Sequence, residues 1–380
     1  MGLFILSRVG MNTAVRMMYP FLSVFAEGMG VSLEIFSLAL FARSFTGVLS
    51  PLIAPLADRI DRKISMLLGT AVFTLGTLLP IFSSAFGLFV LSMMLMSIGL
   101  YIFLPAMQAY IGDRVPYERR GLVLGLTELS WSISTILGVP AVAVLISASG
   151  WRGPFPVLAG FGGLMFVLLA VLLPPAPPRE SAAGKPFASL GVVLRSPQAF
   201  TLLGMSLCFV FANEVINLLF GVWLEDRFSL QIGALGAAAA LIGISELTGE
   251  GLSTWLADRV GKAAAVRIGA IGNVLSAVAL ILLGRWLWGA FLALFLFYLS
   301  FEFLLVSSLP LVSEVLPQAR ATLMAANVMA ISLGRALGAV GAPWLYNGGI
   351  WINAGAAVGL NLLGLVLLSR VKLQGEKTGR

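Results

Sequence analysis

The chain has 380 residues, of which 59% are apolar and 11% are charged, and its mean hydropathy is +1.00. Soluble domains carry about a quarter charged residues, so this composition predicts an integral membrane protein. The absence of histidine and the presence of a single cysteine exclude Cys/His metal sites, Cys-His nucleophiles and internal disulfides. The net charge of +7 comes from cations in short loops, so it indicates membrane topology and not nucleic-acid binding.

Long apolar runs dominate the sequence. About twenty apolar residues cross a bilayer as a helix, and twelve such runs can be placed. Their length and the lack of strict alternation exclude a β-barrel, so the predicted fold class is an all-α membrane protein. We place the spans near residues 3–25, 34–56, 64–83, 86–111, 121–146, 154–173, 199–223, 231–256, 264–284, 287–312, 321–345 and 350–369.

Lysine and arginine are concentrated in alternate loops. If the N-terminus is cytoplasmic, the outer loops hold only Arg152, Arg227 and Arg285, and the other loop cations lie inside. Because positive charge marks cytoplasmic loops, both termini are expected in the cytoplasm, in a plasma or inner membrane.

A repeat of 200 residues divides the chain. The loop sequence Leu56-Ala57-Asp58-Arg59 returns as Leu256-Ala257-Asp258-Arg259, and 258 − 58 gives 200. A Pro-rich segment at 174–198 is predicted to be a cytoplasmic linker. It would join six-helix halves at 1–173 and 199–370, with a tail at 371–380. Other pairs at the same spacing are Arg120 and Arg320, Gly138 and Gly338, and Trp151 and Trp351.

These loops resemble the signature of the major facilitator superfamily, which reads approximately Gly-x-Leu-Ala-Asp-Arg-x-Gly-Arg-Lys. The first copy has Ala54 and Asp61 where the family usually has glycine, and the second has Thr254 at the first of these positions. The resemblance implies twelve helices in two pseudo-symmetric halves and transport by alternating access. It also implies a cytoplasmic gate made by Asp58, Arg59, Arg62, Asp258 and Arg259.

Two short stretches narrow the resemblance. Residues 16–22 on the first span and Gly138-Val139-Pro140 on the fifth span are similar to the drug and sugar efflux branches of the family, which are proton antiporters.

Charged residues inside the apolar runs are functional candidates, because a charge at the bilayer centre costs at least a few kcal/mol. They are Arg16, Arg43, Glu128, Glu214, Glu246, Glu250, Glu302 and Arg335. For Glu246 and Glu250 a structural pairing with Arg335 is an equally open alternative.

The resemblance implies that the first, fourth, seventh and tenth spans line a central cavity. We therefore expect the substrate and coupling residues to be Arg16, Arg43, Gln108, Asn213, Glu214, Asn217, Glu246, Glu302 and Arg335. No catalytic residue, metal site or bound cofactor is expected.

A proton relay without histidine must use carboxylates, and Glu214 and Glu302 are the leading coupling residues. The predicted function is proton-coupled efflux of small organic or amphipathic compounds such as drugs, sugars or metabolites, by a protein acting as a monomer.

One alternative is an exchanger of organic anions or phosphate esters that uses Arg16, Arg43 and Arg335. Others are a lipid transporter and a non-transporting membrane sensor or scaffold. An enzyme is not expected, because no nucleophile-base set or phosphate loop is present.

Overall fold

The structure is a computed structural model that describes residues 1–51, 61–174 and 190–371. These residues form helices joined by short turns, with no β-strand among them. Ten helices in the described part are long and apolar enough to cross a membrane, or eleven if one bent pair counts as a single span. The ten correspond to the third to twelfth predicted spans, and the all-α membrane fold is confirmed.

The chain forms two compact units. The first unit consists of Met1–Ala183 and Phe220–Gly243, and the second of Gly184–Leu219 and Ile244–Arg380. The predicted division into halves at 1–173 and 199–370 stays a prediction. Most of the predicted linker, residues 175–189, and the tail from residue 372 onward lie outside the described residues.

Glycine packing brings the helices of the first unit close together. A methyl group added at Gly69 would lie 2.7 Å from the carbonyl oxygen of Gly99, so the two helices touch backbone to backbone there. The helices of this unit are α1 (Gly2–Arg16), α2 (Leu22–Met29), α3 (Leu33–Val48), α4 (Arg62–Phe82), α5 (Phe86–Arg114), α6 (Tyr117–Ile133), α7 (Val139–Ser149), α8 (Pro154–Leu172), α11 (Phe220–Phe228) and the first part of α12 (Ile232–Val260).

Buried amides tie the helices of the second unit together. Asn361 donates to Oδ1 of Asn273 at 2.8 Å, and Asn273 donates to the carbonyl of Phe297 at 2.8 Å. Side-chain amides can join helices where lipid offers no competing partner, and the sequence analysis did not identify these. The helices are α9 (Leu190–Leu194), α10 (Pro197–Asn217), the rest of α12, α13 (Lys262–Leu283), α14 (Leu287–Val315), α15 (Arg320–Tyr346) and α16 (Ile350–Arg370).

The first and seventh spans are both broken. A turn at 17–21 separates α1 from α2, and it contains Pro20, which has no N–H to continue the helix. The seventh span breaks between Asn217 at the end of α10 and Phe220 at the start of α11. Because 217 − 200 gives 17, the two breaks occupy the same position in the repeat. Discontinuous helices at corresponding positions of two repeats point to a binding site in transporters.

The fifth span contains a π-helical turn, Ser134–Gly138, between α6 and α7. Pro140 follows it and cannot donate to the preceding turn. A methyl group at Gly138 would lie 2.0 Å from Oγ1 of Thr13, so this turn packs directly on α1. Turns of this kind are frequent at functional sites.

Candidate functional site

In the first unit, Arg43 of α3 is held at the break between α1 and α2. Its guanidinium donates to the Val15 carbonyl at 2.9 Å and to the Tyr19 hydroxyl at 2.7 Å. The backbone N–H of Tyr19 bonds to the Arg16 carbonyl and not to Val15, so Arg43 provides the Val15 carbonyl with a partner. Arg43 is only 4% exposed, and its charge lies in the protein interior.

Arg16, the last residue of α1, lies at the same break, but its side chain contacts α6 and not α3. Its guanidinium carbon lies 4.4 Å from the ring centroid of Trp131 on α6, within the range of a cation–π contact. Arg16 is partly exposed, and Gln108, the other candidate of this unit, is exposed on α5.

Arg8 is a buried cation that the sequence analysis missed. It is 4% exposed, and its two terminal nitrogens each donate at 2.8 Å to one carboxylate oxygen of Glu128. The Glu128 side chain is 49% exposed, so the pair has one buried and one accessible member. Arg8 lies near the start of the first span, where an arginine normally marks the cytoplasmic end of a helix. For this reason its burial could not be predicted from the sequence.

The second unit places a carboxylate beside the other helix break. Glu214 of α10 is 1% exposed, and it accepts a hydrogen bond of 3.3 Å from the Asn217 amide. The Asn217 carbonyl oxygen accepts from the Tyr298 hydroxyl of α14 at 2.8 Å. The structure therefore brings two predicted candidates together and adds Tyr298, which the sequence analysis did not select.

Packing fixes this carboxylate closely. A methyl group at Gly338 of α15 would lie 2.5 Å from Cβ of Glu214, so only glycine permits the observed approach. Asn213, the neighbouring candidate, is 6% exposed, and its amide nitrogen has no hydrogen-bond partner among the described residues. A buried amide with unused donor hydrogens is suited to a polar ligand.

Two further carboxylates lie where α12 meets α14. Glu302 is 6% exposed, and a methyl group at Gly249 would lie 3.1 Å from its Cβ. Glu246 is 4% exposed and precedes Gly249 by three residues, which places it on the same side of α12. Arg335 is partly exposed on α15. The α12 and α14 helices are therefore tightly packed at Gly249. The described residues contain no cluster suited to a metal ion.

Comparison with known proteins decides the family. The family model of the Major Facilitator Superfamily matches residues 4–339. The chain belongs to the major facilitator superfamily. It is a multi-span integral membrane transporter and not an enzyme.

Bacterial relatives are similar over different lengths. The uncharacterized MFS-type transporter YceJ of Bacillus subtilis is 24% identical over 97% of this chain and 94% of its own length. YwfA of the same organism is 27% identical over 56% of the chain, a match that spans about half (52%) of YwfA. A probable sugar efflux transporter of Mannheimia succiniciproducens is 30% identical over 44% of the chain and 39% of its own length.

Solved structures share the fold. The D-xylose-proton symporter superposes with a TM-score of 0.76 at 16% identity, covering 98% of both chains. The human organic anion transporter MFSD10 superposes with a TM-score of 0.70 at 19% identity, covering 97% of this chain and 98% of the other. At these identities the likeness shows the major facilitator fold alone.

The loop residues expected to form the family's gate are described in part. Asp58 and Arg59 lie outside the described residues, and so does the side chain of Asp258. Arg62 lies 3.7 Å from Asp113 of α5. Arg259 is exposed, with its guanidinium carbon 4.2 Å from the ring centroid of Trp255. The gate stays a prediction.

The two copies of the signature begin the following helix differently. The Asp61 carboxylate accepts from the backbone N–H groups of Lys63 and Ile64 at 2.8 and 3.2 Å, and so caps α4. Gly261, at the same repeat position, has φ +87, a conformation that glycine adopts without strain. Each of these two arrangements begins the helix that follows it.

Other loop contacts repeat. Arg120 donates through Nε to the Val115 carbonyl at 2.9 Å, and Arg320 donates through Nε to the Ser313 carbonyl at 2.8 Å, so each arginine bonds to a backbone carbonyl shortly before it, although the two carbonyls are not equivalent positions. Lys262 pairs with Glu314 where Arg62 pairs with Asp113 in the first unit. These contacts support the repeat of 200 residues at the level of single side chains.

Proposed function

We propose that this transporter exports small organic compounds in exchange for protons, by alternating access in a plasma or inner membrane. The observation that carries the proposal is Glu214, a carboxylate buried to 1% exposure and joined to Asn217 and Tyr298 beside a break in the seventh span. We propose further that both termini are cytoplasmic and that a monomer suffices for transport.

The chemistry of the buried groups favours proton coupling. A carboxylate gains and loses a proton reversibly, and protonation removes a charge that is costly in the membrane interior. The chain has no histidine, so carboxylates must carry any proton relay through its interior. Glu214 is proposed as the principal coupling residue, with Glu302 as the second.

Neutral polar groups around Glu214 favour a hydroxylated substrate. Asn213 has unused amide hydrogens, and Asn217 and Tyr298 already form a hydrogen-bonded pair that a ligand could join. Relatives named as probable sugar efflux transporters support the same substrate class. Sugars or small amphipathic compounds with several hydroxyl groups are the proposed cargo.

The test is reconstitution of the purified protein in liposomes that contain a pH-sensitive dye. Sugars, organic cations and organic anions are added one at a time to the outside. We expect proton movement out of the lumen when a neutral or cationic substrate enters, and none in liposomes without protein.

One result would replace this proposal with another. Exchange restricted to anions, without proton movement, would move the site to Arg16 and Arg43 and make the protein an anion exchanger.

A further inference from the structure

A cavity of about 160 Å³ lies in the second unit, where α13, α14 and α16 meet. It is lined by Ala263, Arg267, Leu311, Ser369 and Val371, among others. One water needs about 10–15 Å³ by a comparable measure, so the cavity has room for a larger polar group. In the proposed orientation these helix ends lie at the cytoplasmic side of the membrane.

The repeat shows what this position holds in the first unit. The counterpart of Ala263 is Lys63, and its ammonium donates to the Ala170 carbonyl near the end of α8 at 2.6 Å. The lysine therefore joins α4 to α8 in the first unit. In the second unit alanine replaces it, and no side chain reaches from that position toward the end of α16.

A second side chain that joins these helix ends in the first unit is also replaced by an apolar residue in the second. Asp113 and Glu314 are equivalent loop residues, and 314 − 113 gives 201, so Leu311 corresponds to Tyr110. The Tyr110 hydroxyl donates to the Pro174 carbonyl at 3.1 Å in the first unit. Leucine cannot make this bond, so both side chains that join these helix ends in the first unit are missing in the second.

The cavity is also lined by an arginine whose equivalent in the first unit is uncharged. Arg267 stands where the first unit has Leu67, about 7–8 Å along α13 from its first residue by helical rise. Arg267 is exposed, and it has no hydrogen bond or ion pair with any described residue. The same is true of Arg370, which ends α16 beside the cavity. One guanidinium group can donate two parallel hydrogen bonds to two oxygens of the same phosphate.

Apolar surface continues from the cavity toward the membrane core. Ala264 lines the cavity, and the same face of α13 continues through Ile268, Ile271 and Leu275, all exposed. Val366 of α16 is also exposed. A ligand with a phosphate in the cavity and a hydrocarbon chain along this face would contact both the arginine and the apolar surface. A free phosphate would contact only the arginine.

We propose that this cavity binds the headgroup phosphate of an anionic phospholipid from the cytoplasmic leaflet. Basic pockets between membrane helices on the cytoplasmic side are suited to such headgroups. The inference rests on the proposed orientation but is independent of the transported substrate and of proton coupling.

Lipid binding can be measured directly by native mass spectrometry of the full-length protein in detergent. Phosphatidylglycerol, phosphatidylcholine and inorganic phosphate are titrated separately. We expect phosphatidylglycerol to bind at least about fivefold more tightly than phosphatidylcholine, because the choline cation offsets the phosphate charge of the latter and one arginine near an anionic lipid contributes about 1 kcal/mol. Equal binding of the two lipids would overturn the proposal, and so would binding of inorganic phosphate that matches the lipid.

Variants locate the site. Arg267→Leu introduces the residue of the first unit and should reduce the preference for phosphatidylglycerol to the level of phosphatidylcholine. Arg285→Leu removes an exposed arginine beyond the opposite end of α13 and should retain the preference. An unchanged preference in a folded Arg267→Leu protein would overturn the proposal. Because the readout is lipid binding, its failure would leave the transport proposal intact.

Discussion

The charged side chains buried in the two units have opposite signs. The first unit buries Arg8 and Arg43, whereas the second buries Glu214, Glu246 and Glu302. An arginine keeps its charge at any physiological pH, but a carboxylate can be neutralised by a proton. The first unit therefore buries charge that is fixed, and the second unit buries the carboxylates to which we assign the proposed proton coupling.

The hydrogen-bond partners of these buried charges include both neutral and charged groups. Arg43 donates to a carbonyl and a hydroxyl, and Arg8 donates to the carboxylate of Glu128, whose side chain is 49% exposed. Glu214 accepts from the neutral amide of Asn217. A carboxylate that meets a neutral donor in this way keeps a contact partner in either protonation state, because the amide also has an acceptor oxygen.

The largest expected change in stability comes from Glu128→Gln. It would leave the buried Arg8 without its countercharge, and we expect the free energy of unfolding to fall by about 2 kcal/mol, since one member of the pair is accessible. Thermal unfolding of the purified protein measures the change. Glu314→Gln is the matched control, because it removes the partner of a more exposed lysine and should cost less than about 1 kcal/mol. Equal losses in the two variants would contradict the assignment of Arg8 as a buried charge.

A smaller effect is expected from Gly338→Ala. The added methyl group would lie 2.5 Å from Cβ of Glu214, so α10 and α15 must separate or the carboxylate must shift. We expect a loss of about 1–2 kcal/mol in stability and a clear decrease in proton-coupled transport. In the control Gly341→Ala, the methyl group would lie 3.7 Å from the Phe211 ring, an ordinary contact. Equal transport by the two variants would show that the position of Glu214 is not critical.

Much of the fold can be predicted from the sequence, because the bilayer fixes the length of each apolar span and disfavours charged residues within it. Apolar run length predicted the third to twelfth spans, and the spacing of Arg62 and Lys262 predicted a repeat that is supported by their ion pairs with Asp113 and Glu314. The burial of Glu214 and Glu302 could also be expected, since a charge within an apolar run must lie in the protein interior.

Other features depend on contacts that sequence spacing does not reveal. The Arg8–Glu128 pair joins residues 120 positions apart, and nothing local marks Arg8 as buried. The break at 17–21 contains Pro20, a signal that could have been used, but the break after Asn217 has no proline. Tyr298 was missed because an aromatic residue on an apolar span is usually a packing residue.

The most direct test of proton coupling in the second unit uses Glu214→Gln and Glu302→Gln in liposomes. Each variant is compared with the wild-type protein in two assays, substrate accumulation driven by a pH gradient and exchange of labelled substrate at equal concentrations and equal pH. We predict that Glu214→Gln, and to a lesser degree Glu302→Gln, abolishes accumulation while exchange continues, because glutamine preserves the shape of the site but carries no proton. Accumulation at the wild-type level in both variants would contradict the account.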